Sequence, residues 1–472
     1  LNLDDERFDL VVIGAGPAGQ QAAFQATKLN ASVALIERAT VVGGECVQRG
    51  TLPSKTLRET AVYLAGLSSR SEGLLGGAVP SDVTVESLMR RQHAVRRAHE
   101  IFIRGQLERH HVVLRWGRAR FLSAHDLEVT SVDGARKRVV ADQIVIATGS
   151  RPRTPANVPV DHEHVLDSDS ILSLTHLPRS LTVLGGGVIA CEFASIFAAL
   201  GVRVTMVDQE RRPLAFLDRE LTDCFIADFE RRGGRFLGGR RFASVESDGA
   251  SCVTIALEDG EQVRADKLLM ALGRVAQVKG LDLEAAGLSL DERGHLSVDE
   301  SFRTAVPHIY AVGDVIGPPA LAATAMDQGR RVARIALGHP VDVPKDVIPI
   351  GIYTIPEIAA VGMTEAQAVE RFGAAEIGRA RFDEVARGLI NGNPRGLLKL
   401  VATPEKRRLV GAHAVGEGSC EIIHVAQMAI SAGFSAERLV DTVFNFPTMA
   451  EAYRVAALDL TSGRSSRLRK AA

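Results

Sequence analysis

The chain alternates short apolar runs with stretches of helical period, and the first complete unit lies at residues 8–38. Residues 10–13 form a continuous apolar run, the pattern of a strand buried on both faces. The run leads directly into the turn Gly14-Ala15-Gly16-Pro17-Ala18-Gly19. A helical stretch and a second apolar strand follow, and that strand ends in Glu37. Strand, glycine turn, helix and strand in this order predict a dinucleotide-binding unit. The glycines allow the tight turn, the close approach of a pyrophosphate, and close packing of helix on strand. The start of the helix offers free N–H groups to phosphate. Glu37, about 20 residues on, is placed to accept bonds from an adenosine ribose.

A second copy begins at residue 181. Residues 181–184 read as the strand, Gly185-Gly186-Gly187-Val188-Ile189-Ala190 as the turn and 191–200 as the helix. Residues 202–207 are the return strand, and Asp208 is the acid. Ala190 takes the third glycine's place, where only close packing is at stake. Two such units in one chain imply two dinucleotides. Residues 144–152 read as a strand ending in a turn at Thr148 and Gly149, and residues 268–274, through Gly273, look like its counterpart. Residues 304–315 resemble the second flavin fingerprint of a flavoprotein family, which implies a strand that delivers a carboxylate, here Asp314, and is ended by Pro318-Pro319. A helix over 321–337, with Ala322 in its first turn, follows from the periodicity. Residues 53–110 read as helical around an exposed glycine- and serine-rich bend at 66–81. The last segment, from 346, mixes short strands with helices such as 421–432, and disorder is expected in the tail 462–472.

A length of 472 residues suits about three domains. The formal net charge of −1 argues against a global field that draws nucleic acid or an anionic membrane. No window approaches the roughly 20 apolar residues of a membrane span. The acidic start lacks a basic-then-apolar signal pattern, so a cytoplasmic protein is expected. The five cysteines are dispersed, without metal-ligand spacing, so no metal site is expected. Four of them read as small buried hydrophobes. Cys46 stands apart because of what surrounds it.

Residues 43–55, GGECVQRGTLPSK, resemble the redox-active helix of the flavoprotein disulfide reductases, class I of the pyridine nucleotide-disulfide oxidoreductase family. The resemblance implies an α/β fold with two Rossmann-like dinucleotide-binding domains and a C-terminal α+β interface domain. Its segments are then 1–150 and 276–345 for FAD, 151–275 for NAD(P), and 346–472 for dimerisation, with a homodimer expected and a higher oligomer left open. FAD would lie along Gly14, Gly16, Gly19, Glu37, Gly44, Thr148 and Gly149. Asp314 would meet its ribityl chain, and the helix starting near Ala322 would point at its pyrimidine ring. A nicotinamide nucleotide would lie along Gly185, Gly187, Ala190, Asp208 and Gly273.

In that family two cysteines shuttle electrons, and a histidine–glutamate pair near the C-terminus handles their protons. Here Cys46 is present, but Thr51 holds the second position and Phe446 the histidine's. A hydroxyl cannot form a disulfide and a phenyl ring cannot transfer a proton. The resemblance still implies Lys55 beside the flavin, paired with Glu192, while Cys46 is either a thiolate donor to the flavin or a packed thiol. Within the family, GTLPSK, LAFLD (214–218), GIYTIPEI (351–358) and NFPTMAEAYRVAAL (445–458) are similar to the soluble pyridine nucleotide transhydrogenases. That similarity implies FAD-dependent hydride transfer between NADPH/NADP+ and NAD+/NADH, by a ping-pong mechanism at one nicotinamide pocket. The alternatives are an NAD(P)H diaphorase or quinone reductase, dihydrolipoamide dehydrogenase, and a non-catalytic nucleotide sensor. Asp208 suits the 2′-hydroxyl of NAD(H) and repels a 2′-phosphate by up to ~4 kcal/mol at 4 Å and an effective dielectric of about 20. Arg211 and Arg212 are the candidates to offset it by clamping the phosphate.

Overall fold

The strand Glu6–Ile13 lies inside a seven-stranded sheet, its last four residues fully covered. The computed structural model describes residues 6–74, 85–341 and 347–462. Parallel neighbours Val33–Glu37 and Arg136–Ile146 flank that first strand, and Val113–Trp116 extends the sheet beyond Val33–Glu37. The strands Asp126–Thr130 and Arg118–Phe121 continue the other side in antiparallel fashion. Ile309–Ala311 pairs with the end of Arg136–Ile146, so the chain returns to its first sheet after building the second.

That second sheet has five parallel strands in the order Arg235–Gly238, Arg203–Asp208, Ser180–Leu184, Lys267–Met270, Val165–Asp167. A two-stranded ribbon, Ser150–Pro152 against Arg274–Ala276, carries the chain out of the first sheet and back again. The C-terminal sheet is antiparallel and runs from Ile350–Ile352 to Glu376–Arg381, packed by the helices Ser419–Ser431 and Ala452–Thr461. Two Rossmann-like units and an α+β unit are therefore present, as the sequence predicts.

Three expectations are corrected or fall outside the described residues. The helix Thr51–Leu74 continues through most of the expected bend, because each Gly or Ser costs a helix interior at most about 1 kcal/mol. The rest of that bend, at 75–81, and nearly all of the tail 462–472 lie outside the described residues. Asp314 is not on a strand. The strand stops at Ala311, Gly313 takes a φ of +77°, and Asp314 sits in the 3-10 turn Gly313–Ile316, ahead of Pro318-Pro319.

The second and third units are tied by buried charge. Lys399, 2% exposed, reaches Asp218 at 2.9 Å, Glu220 at 2.7 Å and Glu365 at 2.8 Å. Asp218 caps the helix Arg219–Arg231 by accepting from the Glu220 N–H, and Arg379 adds a two-pronged bond to Glu220. Burial disfavours the Glu220 charge, yet the Arg379 and Lys399 bonds bring its pKa down to about 2. A carboxylate depressed in this way contributes stability above its unfolded pKa and loses it as the pH falls from about 4.5 toward about 2. Lys399→Met would leave these carboxylates without their central cation. We expect a loss of about 3–5 kcal/mol in urea unfolding at pH 7, and a shallower decline of stability with acid than in the native chain. An equal decline in both proteins would mean that the cluster does not govern acid stability.

Candidate active site

The two glycine turns are built alike. The N–H of Gly14 donates to the Ile36 carbonyl and that of Gly185 to the Val207 carbonyl, both at 2.8 Å. Both glycines take positive φ, +107° and +115°, and a β-carbon would lie 2.4 Å from the Ala147 carbonyl oxygen in one and 2.5 Å from that of Ala271 in the other. Any side chain there would be both strained and in collision. The local sequence thus dictates two cradles of the same local geometry.

Around the first turn, Glu37 is buried and accepts from the Ala15 and Ala39 N–H groups, each at 2.8 Å. Gly44 faces Gly16 so closely that a β-carbon on it would sit 2.8 Å from the Gly16 α-carbon. Two buried oxygens in this region, Thr148 Oγ1 and Glu45 Oε2, have no hydrogen-bond partner. Burying such atoms without a partner costs about 1–3 kcal/mol each, so a polar ligand along this channel fits the residues present. The Asp314 carboxylate accepts from Ser150 Oγ at 2.7 Å, and Ser150 in turn accepts from Arg274 at 2.8 Å. Gly149 and Gly273 lie at the two ends of the ribbon, where Gln277 donates to the Gly149 carbonyl and Arg153 to that of Gly273. Ala322 opens the helix Ala322–Ala336, Gly19 lies in the helix Pro17–Thr27, and the two helices meet on the first sheet.

Lys55 and Glu192 are brought together. Their charged atoms are 2.6 Å apart, with 24% and 5% of the side chains exposed. Glu192 also accepts from the Tyr353 N–H at 2.9 Å, and the Lys55 ammonium lies 5.1 Å from the Tyr353 ring centre. Burial pushes the Tyr353 phenol up to about 12, so it stays protonated at neutral pH. Ser195, one turn after Glu192, accepts from the Ile355 N–H at 3.0 Å, and Arg58 binds Glu357 at 3.0 Å. Three units thus meet at one ion pair. Sequence reading missed Tyr353, Ser195 and Arg58 as members of this junction. The quoted GIYTIPEI run was the available signal for the first.

Cys46 lies on the short helix Gly44–Gln48. Burial raises its pKa, and the Thr51 hydroxyl and the Lys55 charge only partly offset that. The hydroxyl of Thr51 faces the thiol with which a second cysteine would pair. Phe446 is 68% exposed on its loop.

In the second unit the Asp208 carboxylate packs against Gly186, on which a β-carbon would fall 2.1 Å from Oδ2. Burial raises its pKa, opposed by the N–H groups of Glu210 and Gln209. Gly187 caps the helix Val188–Ala199, and Ala190 is fully buried in that helix's first turn. The two arginines that follow Asp208 are placed differently. Arg211 is exposed, while Arg212 is paired with Asp223 on the next helix.

The chain matches the pyridine nucleotide-disulphide oxidoreductase model over residues 8–329, and the dimerisation domain of that family over residues 348–457. It belongs to that family. Among relatives of this oxidoreductase, a soluble pyridine nucleotide transhydrogenase of Mycobacterium bovis is 44% identical over 457 residues, covering 96% of this chain and 97% of the relative. A protein of the same description from Vibrio vulnificus is 42% identical over 458 residues, with the same coverage. Solved structures agree. LpdA from Mycobacterium tuberculosis superposes with a TM-score of 0.88 at 28% identity over 96% of this chain and 99% of its own. The HOCl-induced flavoprotein disulfide reductase RclA from Escherichia coli gives 0.86 at 27% identity over 95% and 99%.

Glu192→Gln preserves the shape beside Lys55 and removes the charge. We expect NADPH to bleach the bound flavin about 10- to 100-fold more slowly in stopped flow. A rate within about 2-fold of native would make the pair architectural only.

Proposed function

We propose that this oxidoreductase transfers hydride between NADPH/NADP+ and NAD+/NADH, with FAD as its bound cofactor. The observation that carries the proposal is the pairing of an intact Lys55–Glu192 contact with a hydroxyl, Thr51, opposite Cys46. Names of the relatives support the same reaction. FAD, when bound, supplies a two-electron store that can take hydride from one nicotinamide and return it to another.

The chain's own part is to hold, orient and neutralise. Glu37, Gly16, Gly44, Thr148 and Asp314 would hold FAD along the first cradle, as the unpartnered Thr148 and Glu45 oxygens support. Lys55, held by Glu192 and beside the Tyr353 ring, would offer a cation to the charge that reduction adds to the flavin. The start of the helix Ala322–Ala336 would offer a partial positive charge to the bound flavin. Gly185, Gly187, Ala190 and Asp208 would bind either nicotinamide nucleotide along the second cradle. Cys46 is protonated at neutral pH by this reading and acts as a packed thiol.

The boundaries 1–150, 151–275, 276–345 and 346–472 belong to the same proposal, and the sheets and the ribbon support them. So does a homodimer through the last segment, supported by the dimerisation-domain match and by the exposure of Val443 and Phe446. Cytoplasmic residence is supported by the description of the relatives as soluble. Among the described residues no helix is long and apolar enough to cross a membrane.

Steady-state transfer from NADPH to a thio-NAD+ acceptor tests the proposal, run beside quinone and lipoamide. We expect parallel double-reciprocal lines, mutual competition between the nucleotides, and lipoamide turnover below about 1% of the nucleotide rate. Faster transfer to quinone than to any nicotinamide acceptor would favour a diaphorase and overturn this reading.

A further inference from the structure

Two nucleotides that share the second cradle differ only at the adenosine 2′ position, so the groups around Asp208 must tolerate both a hydroxyl and a phosphate. The inference here rests on that shared-pocket reading. The loop after Asp208 folds back over the glycine turn, because the Leu214 N–H donates to the Gly186 carbonyl at 2.8 Å. From the other side, Gly239 donates to the Glu210 carbonyl at 3.0 Å and Arg240 to that of Asp208 at 2.9 Å. The backbone that carries Arg211 and Arg212 is therefore pinned beside Asp208, and only their side chains are free to choose partners.

Arg212 has chosen one. Its guanidinium bonds the Asp223 carboxylate and comes within 3.5 Å of Thr222 Oγ1, both on the helix Arg219–Arg231. Arg219, one turn earlier, lies 3.6 Å from the same carboxylate. That helix does not move easily, because Asp218 and Glu220 at its start are held by the buried Lys399. With both backbones held, the pair can change only through its side chains, and the longer arginine has the greater reach. A bound 2′-phosphate, carrying more charge than one carboxylate, would compete with Asp223 for Arg212.

We propose that Asp223 is a specificity-positioning residue, one that withholds Arg212 from the 2′-phosphate and so keeps NADP(H) from being held too tightly to exchange with NAD(H). Asp208 repels the phosphate, the two arginines attract it, and Asp223 sets how much of that attraction is available. The pair is partly exposed, with 33% and 48% of the side chains accessible, so the withheld affinity is modest, about 5-fold.

Titration of the holoenzyme with 2′,5′-ADP and with 5′-AMP isolates this contribution without turnover. Asp223→Asn should tighten 2′,5′-ADP about 5-fold relative to 5′-AMP, and lower the KM for NADPH against that for NADH by a similar factor. The gain should vanish when Asp223→Asn is made in an Arg212→Ala background, and Asp223→Glu should keep the native ratio. An unchanged ratio in Asp223→Asn, or a gain that survives removal of Arg212, overturns the proposal and leaves the shared pocket standing. Failure of 2′,5′-ADP to compete with NADPH in the native enzyme overturns both.

Discussion

The contact between Lys55 and Glu192 links helices of the first two units, and the third unit's backbone completes it. A charge pair with one partner only 5% exposed persists only when the remaining lone pairs and protons are satisfied. Here the Tyr353 N–H takes the second carboxylate oxygen, and the Tyr353 ring lies beside the ammonium. The position of the lysine therefore depends on how all three units dock. Ser195 with Ile355 and Arg58 with Glu357 reinforce the same junction, and the Lys399 cluster locks the second unit to the third on another side. Rigidity around the ion pair gives the site a preorganised positive charge, the form of electrostatic help that needs no rearrangement during reaction.

Against this intact half, the sulfur half of the family's site has been dismantled. Thr51 presents a hydroxyl to Cys46, burial keeps the thiol protonated, and Phe446 stands exposed with no proton to give. The chemistry that remains is hydride exchange. The proposed pocket, serving both nucleotides in turn, would gain nothing from gripping either one, which fits the proposal that Asp223 holds Arg212 back from the 2′ position.

The glycine turns, the acids that follow them and the parallel sheets were legible in the sequence because their determinants lie within about 30 residues of one another. Lys55 and Glu192 are 137 positions apart, and only a family resemblance could pair them. The Lys399 cluster was not legible, since a buried charge looks like a surface charge until the sheets that cover it are placed, and Ser195 meets Ile355 only across 160 positions. Two local readings also failed for local reasons. Serines and glycines at 66–74 did not stop a helix that packs on a neighbour, and a glycine at 313 moved Asp314 from a strand into a turn. The pairing of Arg212 with Asp223 was not legible either, because that partner lies on the following helix, eleven residues away in sequence.

The claim at the centre of this account is that the protein contains no redox group besides its flavin. Anaerobic titration of the purified holoenzyme with dithionite, followed in the visible spectrum, tests it directly. Complete bleaching after about two electrons per flavin, with no further uptake, is the predicted result. Uptake of about four electrons per flavin would show a second two-electron acceptor in the chain and contradict the account.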